Sequence, residues 1–278
     1  FTDEFAGQRI VISVDGGRVR TREGGQHGRR GKGGRRRYET PWREPKLFVV
    51  YTIDRKGRKI PSTCPLYDGT LGDADAIFLF LIAELVLRGA KRARQIIVIG
   101  DGALWIWNRV DEIAKALGLA PKRIVRVADF YHAVEHLEAI AELRAGWSEA
   151  RKQQCVKMMR RRLKAGKVDL VIKDARQLCT GRAAKKIATE VDYFEERRAF
   201  MQYDDFRRRG IPLGSGAVES AVRRVVNLRL KGPAIFWRVP NVEAMLHLRA
   251  YLKAGRWSEL MQRVVHGSPD GKPASIAA

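Results

Sequence analysis

The sequence predicts an α/β fold: a mixed sheet of three antiparallel strands extended by parallel ones, helices on its faces, and an all-helical stretch inserted before the last major helices. Two patterns lead there. Short β-branched runs alternate with segments of helical periodicity over the first half of the chain, and residues 147–209 carry no strand-like alternation at all.

Residues 8–14, QRIVISV, form a β-branched run that stops at Asp15-Gly16-Gly17, as a strand broken by glycine does. KLFVVYTI (46–53), a turn over Asp54–Gly57 and RKIPSTCPLY (58–67) predict a hairpin whose second strand contains proline. From Asp73, a suitable N-cap, to Leu87 the apolar spacing is helical. QIIVIG (95–100) is apolar throughout, which is the composition of a strand covered on both faces. A helix over 106–117 closed by Gly118, a strand RIVRVAD (123–129) and a helix over 130–146 follow. After breakers at Gly210–Gly216 come a helix AVESAVRRVVNLRLKG and further helix over 240–264. Three strands, then helix-strand-helix-strand-helix, is the order of a ribonuclease H-like sheet. The expected layout is therefore a catalytic core in two parts, 1–146 and 210–265, a helical insertion 147–209 and a disordered tail 266–278.

With 45% hydrophobic residues the chain can bury a core, yet 54 Lys and Arg against 31 Asp and Glu leave it at +23. An excess of that size points to a polyanionic partner, nucleic acid first. Cys64, Cys155 and Cys179 are odd in number and isolated, which fits a reducing intracellular compartment rather than a disulfide framework. The most apolar run, IFLFLIAELVL (77–87), contains Glu84 and is too short to span a bilayer, so no membrane partner is expected. No signal peptide opens the chain and its first residue is Phe1, as in a piece of a longer protein. GGQHGRRGKGGRRRY (24–38) is almost free of apolar residues, and its Arg29, Arg30, Arg35, Arg36 and Arg37 predict a loop that binds phosphate without reading sequence.

Hard divalent ions are held by carboxylates, and two-metal phosphoryl transfer needs acids converging from different elements. Asp15 ends the first strand, Asp101 follows the fourth, and Glu219 lies in the first turn of the helix after the insertion, where Ser215 is a plausible N-cap. Each acid also has a local reading: an Asx-turn at Asp15, a loop cap at Asp101, an ion pair from Glu219 to Arg223. Together, in so basic a chain, they favour a metal site. Asp129 and His132 form a separate Asp-x-x-His, equally readable as an N-cap and an inner-turn histidine; Trp105 and Trp107 read as core aromatics with base stacking as the alternative. Arg223, Arg224, Arg229 and Lys231 give the Glu219 helix a basic face suited to phosphate contact.

VDGG around Asp15, IGDGALWIWN around Asp101, DFYHAVEHL from Asp129 and GSGAVESAVRRVVNLRLKGPAIFW around Glu219 resemble the DDE transposases of bacterial insertion sequences, in particular the ISKra group and its Mutator-like relatives. The resemblance runs from about residue 9 to 255, and the last motif is the most specific. It implies a ribonuclease H-like catalytic domain, Asp15, Asp101 and Glu219 as a catalytic triad holding two Mg2+ ions, with Mn2+ able to substitute, and Asp129 and His132 in an auxiliary, positioning role. It implies DNA strand cleavage and strand transfer at element ends and target, a homodimer or larger assembly on DNA, and a cytoplasmic, nucleoid-associated location. Two alternatives stay open from the residues: a ribonuclease H-like nuclease or resolvase without strand transfer, and a remnant that only binds nucleic acid.

Overall fold

The computed structural model describes residues 2–23, 34 and 38–266. Its main sheet has five strands in the order β5-β4-β1-β6-β7: β1 (Arg9–Gly16), β4 (Lys46–Ile53), β5 (Leu66–Thr70), β6 (Gln95–Gly100) and β7 (Ile124–Ala128). β4 and β5 are antiparallel, while β1 with β6 and β6 with β7 are parallel, so the sheet is mixed as the sequence predicts. Two-residue strands β2 (Val19–Arg20) and β3 (Trp42–Arg43) pair separately. The order and the mixed pairing are consistent with a ribonuclease H-like fold. The described residues fall into two compact units, one within Phe1–Ser13, Thr52–Ile60 and Arg88–Gly216, the other within Val14–Tyr51, Pro61–Leu87 and Ala217–Ala278.

In the first unit, β6 earns its central place by composition: Ile96, Ile97, Val98 and Ile99 are all buried. Helices α2 (Leu104–Trp107) and α3 (Val110–Ala116) follow it, and α4 (Phe130–Glu142) follows β7. The single helix expected over 106–117 is thus two pieces that start earlier, because Gly102 (φ 102°) turns the chain and the Asp101 carboxylate accepts from Ala103 N at 2.9 Å. Residues 149–208 form α5 (Glu149–Lys164), α6 (Val168–Gln177), α7 (Ala184–Arg197) and α8 (Tyr203–Arg208). Ser148 caps α5 by accepting from Arg151 N, and Val171, Ala175, Ile187, Val191 and Phe194 bury the apolar stripes of α6 and α7.

In the second unit, the hairpin strand expected over 58–67 is displaced: β5 begins only at Leu66. Pro61 and Pro65 cannot donate to a ladder, and of the expected strand only an isolated bridge between Ile53 and Lys59 forms, within the first unit. Helix α1 (Ala74–Leu87) and helix α11 (Val239–Ala254) pack on β5. The helix carrying Glu219 is not regular: α9 (Gly216–Val222) widens into a π-turn at Arg223–Asn227 before α10 (Leu228–Leu230). Arg249, buried on α11, donates Nε to the Val225 carbonyl at 2.7 Å and Nη2 to that of Arg224, satisfying main-chain oxygens of the widened turn. Val222, Val225, Val226, Leu230, Val242 and Leu246 form the core beneath it with Val19 and Leu47. Helix α12 (Trp257–His266) follows. Residues 267–278 of the expected tail lie outside the described residues.

Helix α11 is also tied to β5 by polar groups. His247 Nδ1 meets Asp68 Oδ1 at 2.6 Å, and Glu243 accepts from the Thr70 hydroxyl and, at 2.8 Å, from Leu71 N. Burial pushes the His247 imidazole down, but the Asp68 hydrogen bond and the charges of Asp68 and Glu243 outweigh it, so its pKa is raised. A raised folded-state pKa stabilises fully below the unfolded value of about 6.5 and loses that stabilisation as pH rises through the folded value. The difference in Tm between wild type and His247→Asn is therefore expected to shrink from pH 6 to pH 9; a pH-independent difference would contradict the ion pair.

Candidate active site

Asp15 lies near the end of β1, in the second unit, and Asp101 directly follows β6, in the first. In β7, Ala128 pairs with Gly100, and Asp129 N donates to the Gly100 carbonyl at 2.8 Å, so the Asp101 and Asp129 loops leave the same end of the first unit.

Asp101 sits in a turn held from behind by α7. The Tyr193 hydroxyl donates to the Asp101 carbonyl at 3.0 Å, and Arg197 donates Nε and Nη2 to the Gly102 carbonyl at 2.9 and 2.6 Å. Arg197 also lies over the Tyr193 ring at 4.6 Å, and His136 of α4 stacks on that ring at 3.8 Å between centroids, with Nδ1 2.5 Å from Glu190 Oε2. Burial, tempered by the Arg197 charge, pushes the Tyr193 phenol well above its usual pKa, which keeps it a donor at every physiological pH. Burial likewise lowers the His136 pKa against the opposing pull of Glu190. The main chain carries the anchoring, and the half-buried Asp101 carboxylate is oriented by the Ala103 N–H it accepts from.

Asp129 is a different kind of acid. It is 2% exposed, caps α4 by accepting from Tyr131 N at 2.7 Å and His132 N at 3.3 Å, and its second oxygen accepts from Ser215 N at 2.6 Å and from the Ser215 hydroxyl. Both oxygens are therefore committed to tying the α4 start to Ser215, whose main-chain N–H and hydroxyl both donate to Asp129. His132 is partly exposed, bonded to Glu135 at 2.9 Å and 4.8 Å edge-on from His136. Trp107 is buried and stacked on Phe200 at 5.1 Å, a core role.

In the second unit, the Asp15 carboxylate accepts from Gly16 N at 2.7 Å. The turn after it lies on the Glu219 helix: a Cβ on Gly17 would stand 3.4 Å from Val222 Cγ1 and 3.5 Å from Val226 Cγ2. Val222 is one turn past Glu219 on the same side, so β1's end and the exposed Glu219 share a helix face. Arg223, Arg229 and Lys231 are exposed, Lys231 with its ammonium 5.9 Å from the Trp42 ring, while Arg224 donates to the Tyr67 hydroxyl at 2.8 Å. Arg29, Arg30, Arg35, Arg36 and Arg37 lie outside the described residues.

Carboxylate oxygen is the right donor chemistry for a hard divalent ion. Among the described residues, no three His, Cys, Asp or Glu side chains are grouped as a bound metal requires, and no helix is long and apolar enough to cross a membrane. No family model and no curated protein match the chain. A chain of the Drosophila P element transposase strand transfer complex is similar over 95% of this chain and 67% of that one, at 11% identity and a TM-score of 0.30, a likeness too slight to bear on family or chemistry.

Tyr193 and Arg197 were not legible as functional residues; their spacing of four only places them on one helix face. Nor was Gly102, beyond its place next to Asp101: a Cβ there would overlap Arg197 and approach the Tyr193 ring at 2.9 Å, in a backbone conformation L residues avoid. Gly102→Ala is expected to cost about 1–3 kcal/mol and Tyr193→Phe about 1 kcal/mol in denaturant unfolding. A Gly102→Ala protein as stable as wild type would show that the clamp is dispensable.

Proposed function

We propose that this protein cleaves and joins DNA strands as a DDE transposase, with Asp15, Asp101 and Glu219 as its catalytic carboxylates. What supports this most is that, within the second unit, the turn after Asp15 lies on the helix that carries Glu219, a Cβ on Gly17 standing 3.4 Å from Val222 Cγ1. The +23 charge supplies affinity for the substrate's backbone.

In this reading the three carboxylates gather around Mg2+, or Mn2+ in its place, when DNA is bound. Two such ions supply activation of a water or a DNA 3′-hydroxyl for in-line attack and neutralisation of charge at the phosphorus. The chain's own contribution is orientation. Tyr193 and Arg197 hold the Asp101 turn by its main chain, which leaves the carboxylate to face substrate. Asp129 keeps the Ser215 segment that leads into the Glu219 helix in place, a positioning role that needs its negative charge but no contact with substrate. Arg223, Arg229 and Lys231, exposed past Glu219, contact the phosphates flanking the cleaved one. The active species is a dimer or larger assembly on paired ends.

The test uses purified protein, labelled duplex carrying candidate element ends, and Mg2+ or Mn2+. Asp15→Asn, Asp101→Asn and Glu219→Gln are each expected to lower cleavage by at least about 100-fold, the scale of losing a group that acts only in the transition state, with DNA affinity in EDTA held within a few-fold. Joined products distinguish transposition from a nuclease, which leaves free 3′ ends. Three variants that all still cut would refute the assignment, and DNA binding without any cleavage by wild type would favour a binding-only protein.

A further inference from the structure

The other end of the first unit's strands is as basic as the first is acidic. Arg9 opens β1, Arg94 and Gln95 open β6, and Lys122 and Arg123 precede β7; with Arg55 and Arg209 they line a cleft of about 530 Å³ that contains six cationic side chains and no acidic one. Six residues of strand separate Gln95 from Asp101, so this cleft lies on the order of 20 Å from the acidic end.

The cleft is built rather than incidental. Arg9 forms its floor, donating to Gln95 Oε1 and the Asp54 carbonyl at 2.8 Å and to the Arg209 and Gly210 carbonyls at 3.0 Å. One wall is locked by two glycines: a Cβ on Gly57 would stand 2.7 Å from the Gly210 carbonyl oxygen, and one on Gly210 would overlap that of Arg55. Several cations elsewhere in this unit are paired, Arg176 by Asp192 and Glu195 at 2.7 Å, Arg88 by Glu4 and Arg126 by Asp111, while others, such as Lys157, Arg161 and Lys164 of α5, stand exposed on a helix surface. In the cleft Arg209 reaches Asp205 at 3.0 Å, but among the described residues Arg55, Arg94, Lys122 and Arg123 have no carboxylate partner. Burial and the charges of Arg94 and Arg209 together lower the Arg9 pKa, so the fold holds these like charges together against their repulsion. A solvated basic face needs neither the concavity nor the fixed floor.

We propose that this cleft is a second DNA-binding site, taking backbone phosphates of a segment other than the one at the acidic end. Four unpaired cations around a rigid, already hydrogen-bonded arginine match a run of phosphodiesters, and the absence of acids or aromatics from the lining makes the contact indifferent to base sequence. The proposal rests on DNA being the partner and not on the strand chemistry.

The experiment therefore measures binding alone, in EDTA and in the Asp101→Asn background, by anisotropy of a labelled duplex across a salt series. Arg94→Ala/Lys122→Ala/Arg123→Ala removes three exposed cations; Lys157→Ala/Arg161→Ala/Lys164→Ala on α5 removes three exposed cations away from the cleft. The cleft triple is expected to weaken binding at least about 10-fold and to flatten the plot of log K against log salt by about 2 to 3, the share of three phosphates, with the α5 triple several-fold less affected. The single reversal Arg94→Glu should reproduce the direction. Equal losses in the two triples would mean that only net charge matters and would overturn the site. Tripolyphosphate that stabilises wild type but not the cleft triple, with DNA affinity unchanged, would assign the cleft to a free phosphate compound and overturn the DNA proposal.

Discussion

The parallel register of β1 with β6 and of β6 with β7 is the constraint on which the rest depends. Strands covered on both faces have no room for unpaired charge along their length, so charge must come before them or after them. Because the strands run in one direction, everything before them collects at one end and everything after them at the other. Asp101 and Asp129 follow their strands, whereas Arg9, Arg94 and Arg123 open or precede theirs. The outer strand β7 admits Arg126, and that side chain is neutralised by Asp111. In the first unit, Asp101 and Asp129 thus stand at one end of the strands and Arg9, Arg94 and Arg123 at the other.

Two devices hold functional groups without using the groups themselves. Helix α7 grips the Asp101 turn through main-chain carbonyls, and Arg249 satisfies the carbonyls of the π-turn just past Glu219. In each case a donor from a helix distant in sequence fixes the backbone of the turn. Asp129 is the contrast: both its oxygens are consumed by main-chain and hydroxyl donors, as structural carboxylates commonly are. The helical stretch over 149–208 is consequently tied to the Asp101 turn by Tyr193 and Arg197.

Periodicity and composition made the strand order, the helical character of 149–208 and the ends of β1, β6 and β7 legible, because apolar runs and glycines report directly on burial and turns. The second hairpin strand was misplaced because RKIPSTCPLY alternates well enough on paper, while two prolines strip it of donors and LYDGT, with an acid and a glycine, makes the strand instead. Buried Asp68 is satisfied there by Gly69 N and by His247, 179 residues away. The π-turn was invisible for the same reason: AVESAVRRVVNLRLKG is a good helix by propensity, and the widening depends on Arg249 from another helix. The clamp on Asp101 and the basic cleft are likewise long-range, built from side chains that are unremarkable in their own segments.

The central claim is that Asp15, Asp101 and Glu219 serve one divalent-ion site. Replacing Mg2+ with Fe2+ in the DNA complex and generating hydroxyl radicals would cut the polypeptide beside the bound ion. If the three acids share it, cuts fall near residues 15, 101 and 219 together, Mg2+ suppresses them, and Asp101→Asn abolishes all three. Cuts confined to one of these positions, or falling elsewhere and persisting in Asp101→Asn, would contradict a common site.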